Sequence, residues 1–178
     1  MTGSSAQRTP DKGVSTGVSD AKRLHLQEIT ADTVRSICDL EVHETQKEFV
    51  APNAVSIAQA YFCEEAWFRA ICYGDTPVGF VMIYEEAAKP EYYLWRFMID
   101  KSFQGRGFGK AAMQLIIEHL RQRENASGLS LSCDPGESGP EKFYRKLGFV
   151  PTGEYMGNEM VMKLSLSVPE AVRAEDAQ

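Results

Sequence analysis

Residues 92–120 leave little freedom to the chain around them. An apolar, aromatic-rich run at 92–98 has the length of a buried strand. It leads into Ile99-Asp100-Lys101-Ser102-Phe103-Gln104-Gly105-Arg106-Gly107-Phe108-Gly109-Lys110. Beyond that, Ala112, Leu115, Ile116, His119 and Leu120 recur at i, i+3, i+4, i+7 and i+8, which puts one mostly apolar stripe on a helix. The unit reads strand, glycine-rich turn, helix.

A turn of this kind can cradle phosphate. Gly105, Gly107 and Gly109 carry no Cβ, so the backbone can take positive φ and approach a ligand closely. The first free N–H groups of the helix and its dipole favour an anion, and Arg106 and Lys110 add positive charge. The spacing separates three motifs. A P-loop needs a glycine where Gln104 stands and Ser or Thr where Ala111 stands, and a dinucleotide fingerprint needs glycine where Lys110 stands. What remains is Q-x-x-G-x-G at Gln104, Gly107 and Gly109, and here the chain resembles the GNAT superfamily of acetyl-CoA-dependent N-acetyltransferases.

A second segment carries the same resemblance. Phe143-Tyr144-Arg145-Lys146-Leu147-Gly148-Phe149 is similar to the F/L-Y-x-K-L-G-F run of those enzymes, one strand after the glycine loop. The resemblance implies that Gln104, Gly105, Arg106, Gly107, Phe108, Gly109 and Lys110 hold the cofactor diphosphate. It also implies that the strand at Phe97, Met98 and Ile99 pairs with the pantetheine amides and stabilises the reacting oxygen, and that Tyr144 protonates the departing thiolate. Some relatives carry glutamate as the base six residues before Ile99; here that residue is Tyr93. Glu85, Glu44 and His43 are then the candidates for that role.

The rest of the chain reads as one domain of the same class. Residues 1–20, rich in Gly, Ser, Thr and Asp, cannot bury enough surface to offset their ordering entropy and are expected as a disordered leader. Residues 24–29 suit a first strand, and Thr30 or Asp32 can cap a helix running through Val34, Ile37, Cys38 and Val42. Pro52 and Asn53 break the chain before a second helix at 56–65. Residues 67–73 and 78–84 are strands joined by a Gly74-Asp75-Thr76-Pro77 loop. After the long helix, which Gly128 is expected to end, residues 129–133 alternate as a strand, and Ser138 to Glu141 fits a capping box before the tyrosine helix. Residues 150–155 and 159–166 give the last strands, and residues 169–178 a frayed tail. The expected fold is therefore α/β: a twisted, mostly antiparallel sheet of about seven strands, helices on both faces, and a cleft for acetyl-CoA, the whole spanning residues 21–168.

Composition enters at the acceptor. With 43% hydrophobic and 25% charged residues among 178, the chain suits a single globular domain, and it has neither a secretory signal nor a membrane-length apolar run, so a cytoplasmic location is expected. Cys38, Cys63, Cys72 and Cys133 lack metal-ligand spacing, so no metal is expected. The net charge of -6 disfavours a nucleic-acid partner and suits a cationic small molecule. Residues 93–100, Gln46-Lys47-Glu48-Phe49-Val50-Ala51-Pro52-Asn53 and Pro151-Thr152-Gly153-Glu154 resemble the bacterial spermine/spermidine acetyltransferase group, with Glu41, Glu44, Glu85 and Trp95 as candidate acceptor contacts. Another amine, such as an aminoglycoside or a protein N-terminus, a CoA-sensing module without turnover, and a homodimer all stay open at this point.

Overall fold

The computed structural model of the chain describes residues 23–86, 89–136 and 139–167. The expected leader, the expected tail and the Ser138 end of the expected capping box lie outside them. The seven strands are β1 Leu24–Gln27, β2 Ala66–Tyr73, β3 Thr76–Glu85, β4 Glu91–Ile99, β5 Gly128–Cys133, β6 Val150–Met156 and β7 Glu159–Ser165. They form one sheet in the order β1-β2-β3-β4-β5-β7-β6. Every neighbouring pair is antiparallel except β4 and β5. The helices are α1 Val34–Cys38, α2 Asn53–Ala60, α3 Phe108–Arg121 and α4 Glu141–Lys146, with a 3₁₀ turn at Glu44–Gln46. The expected mostly antiparallel α/β sheet is therefore present.

The helices divide between the two faces because the central strands are apolar on both. In β3, Val81 and Ile83 belong to the core under α3 and α4, while Phe80 and Met82 belong to the core under α1 and α2. A strand covered on both sides reads as a continuous apolar run, as β3 does. Helix α3 turns Ala112, Met113, Ile116 and Leu120, all fully buried, onto the sheet. Each of its three larger buried side chains contributes about 1.5–3 kcal/mol by leaving water. His119, on the flank of that stripe, stacks on Trp67 of β2 at 4.4 Å between ring centroids.

Four boundaries differ from expectation, each for a physical reason. The first helix stops at Cys38 and does not reach Val42. Asp100 accepts the Glu41 N–H at 2.9 Å, and the Glu41 carbonyl accepts the Lys101 N–H at 2.7 Å, so this segment is tied to the end of β4 and cannot close another helical turn. The second helix starts at Asn53, where the Pro52 carbonyl takes the Val55 and Ser56 N–H groups and Asn53 Nδ2 donates to the Ile37 carbonyl at 2.8 Å. Helix α3 ends at Arg121, well before Gly128, which opens β5; Asn125, at φ +60°, turns the chain between them. The β2–β3 hairpin closes over Gly74 and Asp75 alone, so Thr76 and Pro77 lie inside β3.

Candidate active site

The site begins where two parallel strands separate. β4 and β5 are paired only from Glu91↔Gly128 to Tyr93↔Ser130. Beyond that, β5 continues against β7 while residues 94–99 run on with no partner on the β5 side. A bulge in β4 drives the separation: Met82 faces Arg96 and Ile83 faces Leu94, which leaves Trp95 as the extra residue. An unpaired residue of this kind bends its strand and raises the local twist. The gap opens into a cavity of about 640 Å³.

The glycine turn closes one end of it. Gly105 and Gly107 stand at φ +72° and +83°, where any other residue is strained. After Phe103, whose N–H reaches the Asp100 carbonyl at 2.8 Å, the next N–H to reach a backbone carbonyl is that of Ala111, bonded to Gly107 at 3.1 Å. Among the described residues, the N–H groups of Gly105 through Lys110 find no acceptor. Gly109 lets the turn pack closely, since a Cβ there would come within 3.3 Å of the Phe143 ring, tighter than ordinary contact. Free amides, a helix start and the Lys110 side chain at one mouth of a cavity form a donor set that fits a diphosphate.

Next to the turn, α4 brings Tyr144 to the cavity. Its ring packs edge-on against Phe143 at 5.3 Å and Phe149 at 5.6 Å, and Phe143 in turn stacks on Phe97 of β4 at 6.1 Å. The hydroxyl has no partner among the described residues, and the residue lines the cavity. Burial, reinforced by Cys133 and Tyr93, pushes its pKa far up, so the phenol keeps its proton. Cys133 lies beside it with its thiol raised to about 11, chiefly by burial and then by Glu141, which makes it a poor nucleophile at neutral pH.

The other sequence candidates divide. Trp95, Phe97, Met98, Ile99, Gln104, Gly105, Gly107, Gly109, Lys110 and Tyr144 all line the cavity. Gln104 does so with its amide committed, donating to the Ile99 carbonyl at 2.9 Å and to Gln46 Oε1 at 2.8 Å. Arg106 and Phe108 do not line it; the Arg106 guanidinium lies over the Phe103 and Phe108 rings, and Phe108 packs on Tyr73. Glu41 is ion-paired with Lys101, Glu44 with Lys47 and Glu85 with Arg123, and none of the three reaches the cavity. His43 caps the 3₁₀ turn.

Five polar residues that the sequence did not single out do reach it: Arg96, Ser132, Asp134, Lys142 and Glu159. Arg96, Ser132 and Glu159 also line a second cavity of about 590 Å³, which shares Phe49, Leu94 and Trp95 with the first. Arg96 donates to the Trp95 carbonyl at 2.8 Å and to Gln59 Oε1 at 3.2 Å, while its buried Nε has no partner among the described residues. The sequence held one signal for them: Arg96 lies inside the quoted run at 93–100.

A parallel strand pair opened by a bulge, a glycine turn with free amides and a buried tyrosine thus surround one cavity. Residues 34–149 match the model of the Acetyltransferase (GNAT) family, and the chain belongs to that family as an N-acetyltransferase, whose cosubstrate is acetyl-CoA. It is 27% identical over 148 residues to the spermine/spermidine N(1)-acetyltransferase of Bacillus subtilis (strain 168), covering 79% of this chain and 97% of that one. Among solved structures, its fold is similar to the PaiA N-acetyltransferase of Thermoplasma acidophilum in complex with coenzyme A (TM-score 0.61, 13% identity, 80% of this chain and 99% of that one). It is similar likewise to the ribosomal-protein-S18-alanine N-acetyltransferase of Escherichia coli (TM-score 0.62, 15% identity, 83% and 96%). Among the described residues, no cluster of His, Cys, Asp and Glu is placed to hold a metal ion, and no helix is long and apolar enough to cross a membrane.

Proposed function

We propose that this chain transfers acetyl from acetyl-CoA to a primary amine of a small cationic molecule, a polyamine such as spermidine or spermine first, by direct attack with both substrates bound. The observation that carries the reading is the parting of β4 and β5, which brings the glycine-turn amides, the unpaired edge of β4 and Tyr144 around one cavity. The Bacillus relative named for spermine and spermidine supports the choice of acceptor.

Bound acetyl-CoA supplies an acetyl thioester. The N–H groups of Gly105 through Lys110 and the Lys110 ammonium hold its diphosphate. The free edge of β4 at Phe97, Met98 and Ile99 pairs with the pantetheine arm and donates to the carbonyl oxygen as charge develops there. Tyr144, kept protonated by burial, gives its proton to the sulfur as the C–S bond breaks. Cys133, with its raised thiol, favours direct transfer over an acyl-enzyme route.

A second acceptor is favoured by one observation. The unpartnered Nε of Arg96 is a donor in want of an acceptor, and the peptide carbonyl beside a protein N-terminal amine would supply one. A panel of spermidine, spermine, an aminoglycoside and a peptide with a free N-terminus, read by release of free CoA thiol, decides between them. Turnover with spermidine or spermine supports the polyamine reading, and turnover with the peptide alone transfers the assignment to N-termini. Silence with every amine sinks both.

A further inference from the structure

An aliphatic amine has a pKa near that of lysine, about 10.4, and arrives protonated at neutral pH. It cannot attack until an N–H bond gives up its proton, so the acceptor side of the cleft needs a proton acceptor. Glu41, Glu44 and Glu85 are held by Lys101, Lys47 and Arg123, away from the cavity. Two carboxylates do line it: Asp134, whose Oδ1 accepts the Gly136 N–H at 2.6 Å, and Glu159, which alone of the two also lines the second cavity.

Glu159 is joined to two hydroxyls in line. Ser132 Oγ donates to Glu159 Oε2, and the Tyr93 and Ser132 hydroxyl oxygens are 2.7 Å apart. Ser132 has one hydrogen, already directed at the carboxylate, so Tyr93 is the donor in the other bond. The phenol oxygen of Tyr93 therefore keeps a lone pair for an incoming N–H. Side chains alternate along a strand, which puts Tyr93 on β4, Ser132 on β5 and Glu159 on β7 on the sheet face away from Leu94, Leu131 and Cys133. Tyr144 packs on the Leu94 face. The acid for the sulfur and the hydroxyl row thus stand on opposite sides of the sheet and meet where the strands separate. All three members of the row line the second cavity, and Glu159 at its far end is exposed to water.

We propose that Tyr93, Ser132 and Glu159 form a proton relay that deprotonates the acceptor amine bound in this second cavity. This rests on the acetyl-transfer reading above. The ammonium N–H breaks and its proton passes to the Tyr93 oxygen as the Tyr93 proton moves to Ser132. The Ser132 proton moves to Glu159, which returns it to solvent, and the freed nitrogen lone pair attacks the acetyl carbonyl. The charged and titratable neighbours are Arg96 of β4, Cys133 of β5, Tyr144 of α4 and, further along the same face, the ion pair of Glu91 on β4 with Lys163 on β7. The Arg96 cation disfavours the ammonium form of the acceptor, while Cys133 and Tyr144 stay neutral.

The test is kcat for the best amine of the panel, measured from pH 7 to pH 9.5 in wild type, Glu159→Gln, Ser132→Ala and Tyr93→Phe. The relay requires each variant to lose about tenfold to a hundredfold in kcat at pH 7 with KM for acetyl-CoA unchanged. The deficit shrinks towards pH 9.5, where water and hydroxide take the proton, and the double variant Ser132→Ala/Glu159→Gln is no worse than either single one. Ser132→Thr, which keeps a hydroxyl, restores most of the rate. If Tyr93→Phe does not fold, the two smaller changes decide. An equal loss at both pH values, or a change confined to the amine KM, overturns the relay and leaves the transferase reading standing. A wild type inert towards every amine overturns both.

Discussion

Tyr144 carries the sharpest consequence at the scale of a single side chain. Tyr144→Phe keeps the aromatic packing on Phe143 and Phe149 and removes only the hydroxyl that the proposed reaction uses as proton donor, so kcat should fall about a hundredfold while KM for acetyl-CoA holds, as steady-state kinetics will show. Since burial keeps the phenol neutral, the wild-type rate should show no loss from its ionisation up to pH 9.5. Cys133 gives a second check: with its pKa at about 11, roughly three molecules in ten thousand are thiolate at pH 7.5, so iodoacetamide followed by peptide mass analysis should find partly exposed Cys63 labelled well before it. The glycine turn was legible in the sequence because its demands are local: positive φ at Gly105 and Gly107 and free amides at a helix start. Glu41 and Glu85 were not, because their partners Lys101 and Arg123 stand 60 and 38 positions away. Glu159 was hidden for the same reason, since Ser132 lies 27 positions back in the chain.

At the scale of elements, one buried carboxylate fixes how the first helix region meets the sheet. Burial of Asp100 pushes its pKa up, and the hydrogen bonds from the Glu41 and Ser102 N–H groups more than offset this, leaving it below the usual carboxylate range. Asp100→Ala strands two amides and should cost about 2 kcal/mol. In a chain of this length that amounts to roughly 4–8 °C in Tm by calorimetry. The contact of α3 with β2 adds a pH dependence. His119 is held below its ordinary pKa by burial, then by Arg123 and Arg69, so the unfolded chain binds its proton first as pH falls. Its contribution to stability is complete above about pH 6.5 and is lost below it. The fall in Tm between pH 7.5 and 5.5 should therefore be smaller in His119→Phe than in wild type. The apolar stripe made α3 readable, but the ends of α1 and α3 were not, because an aspartate 59 residues distant stops the first and an asparagine turn precedes Gly128 after the second.

For the molecule as a whole, a ligand that binds only the folded state stabilises it by mass action. Coenzyme A at a hundred times its Kd should add about 2.7 kcal/mol. The melting midpoint should then rise by roughly 5–11 °C, measurable by dye-based thermal shift. Two halves of one sheet, β1 to β4 and β5 to β7, are joined by a short ladder ending at Tyr93 and Ser130. A sheet built this way is unfinished until something other than protein fills the missing rungs. Deuterium exchange would register that completion: those amides of residues 94–99 that face the gap should trade hydrogen freely in the empty protein and slowly once the pantetheine chain lies between the halves. The cosubstrate would then serve as scaffold as well as reagent, its pantetheine arm sewing the two halves together for as long as it stays bound.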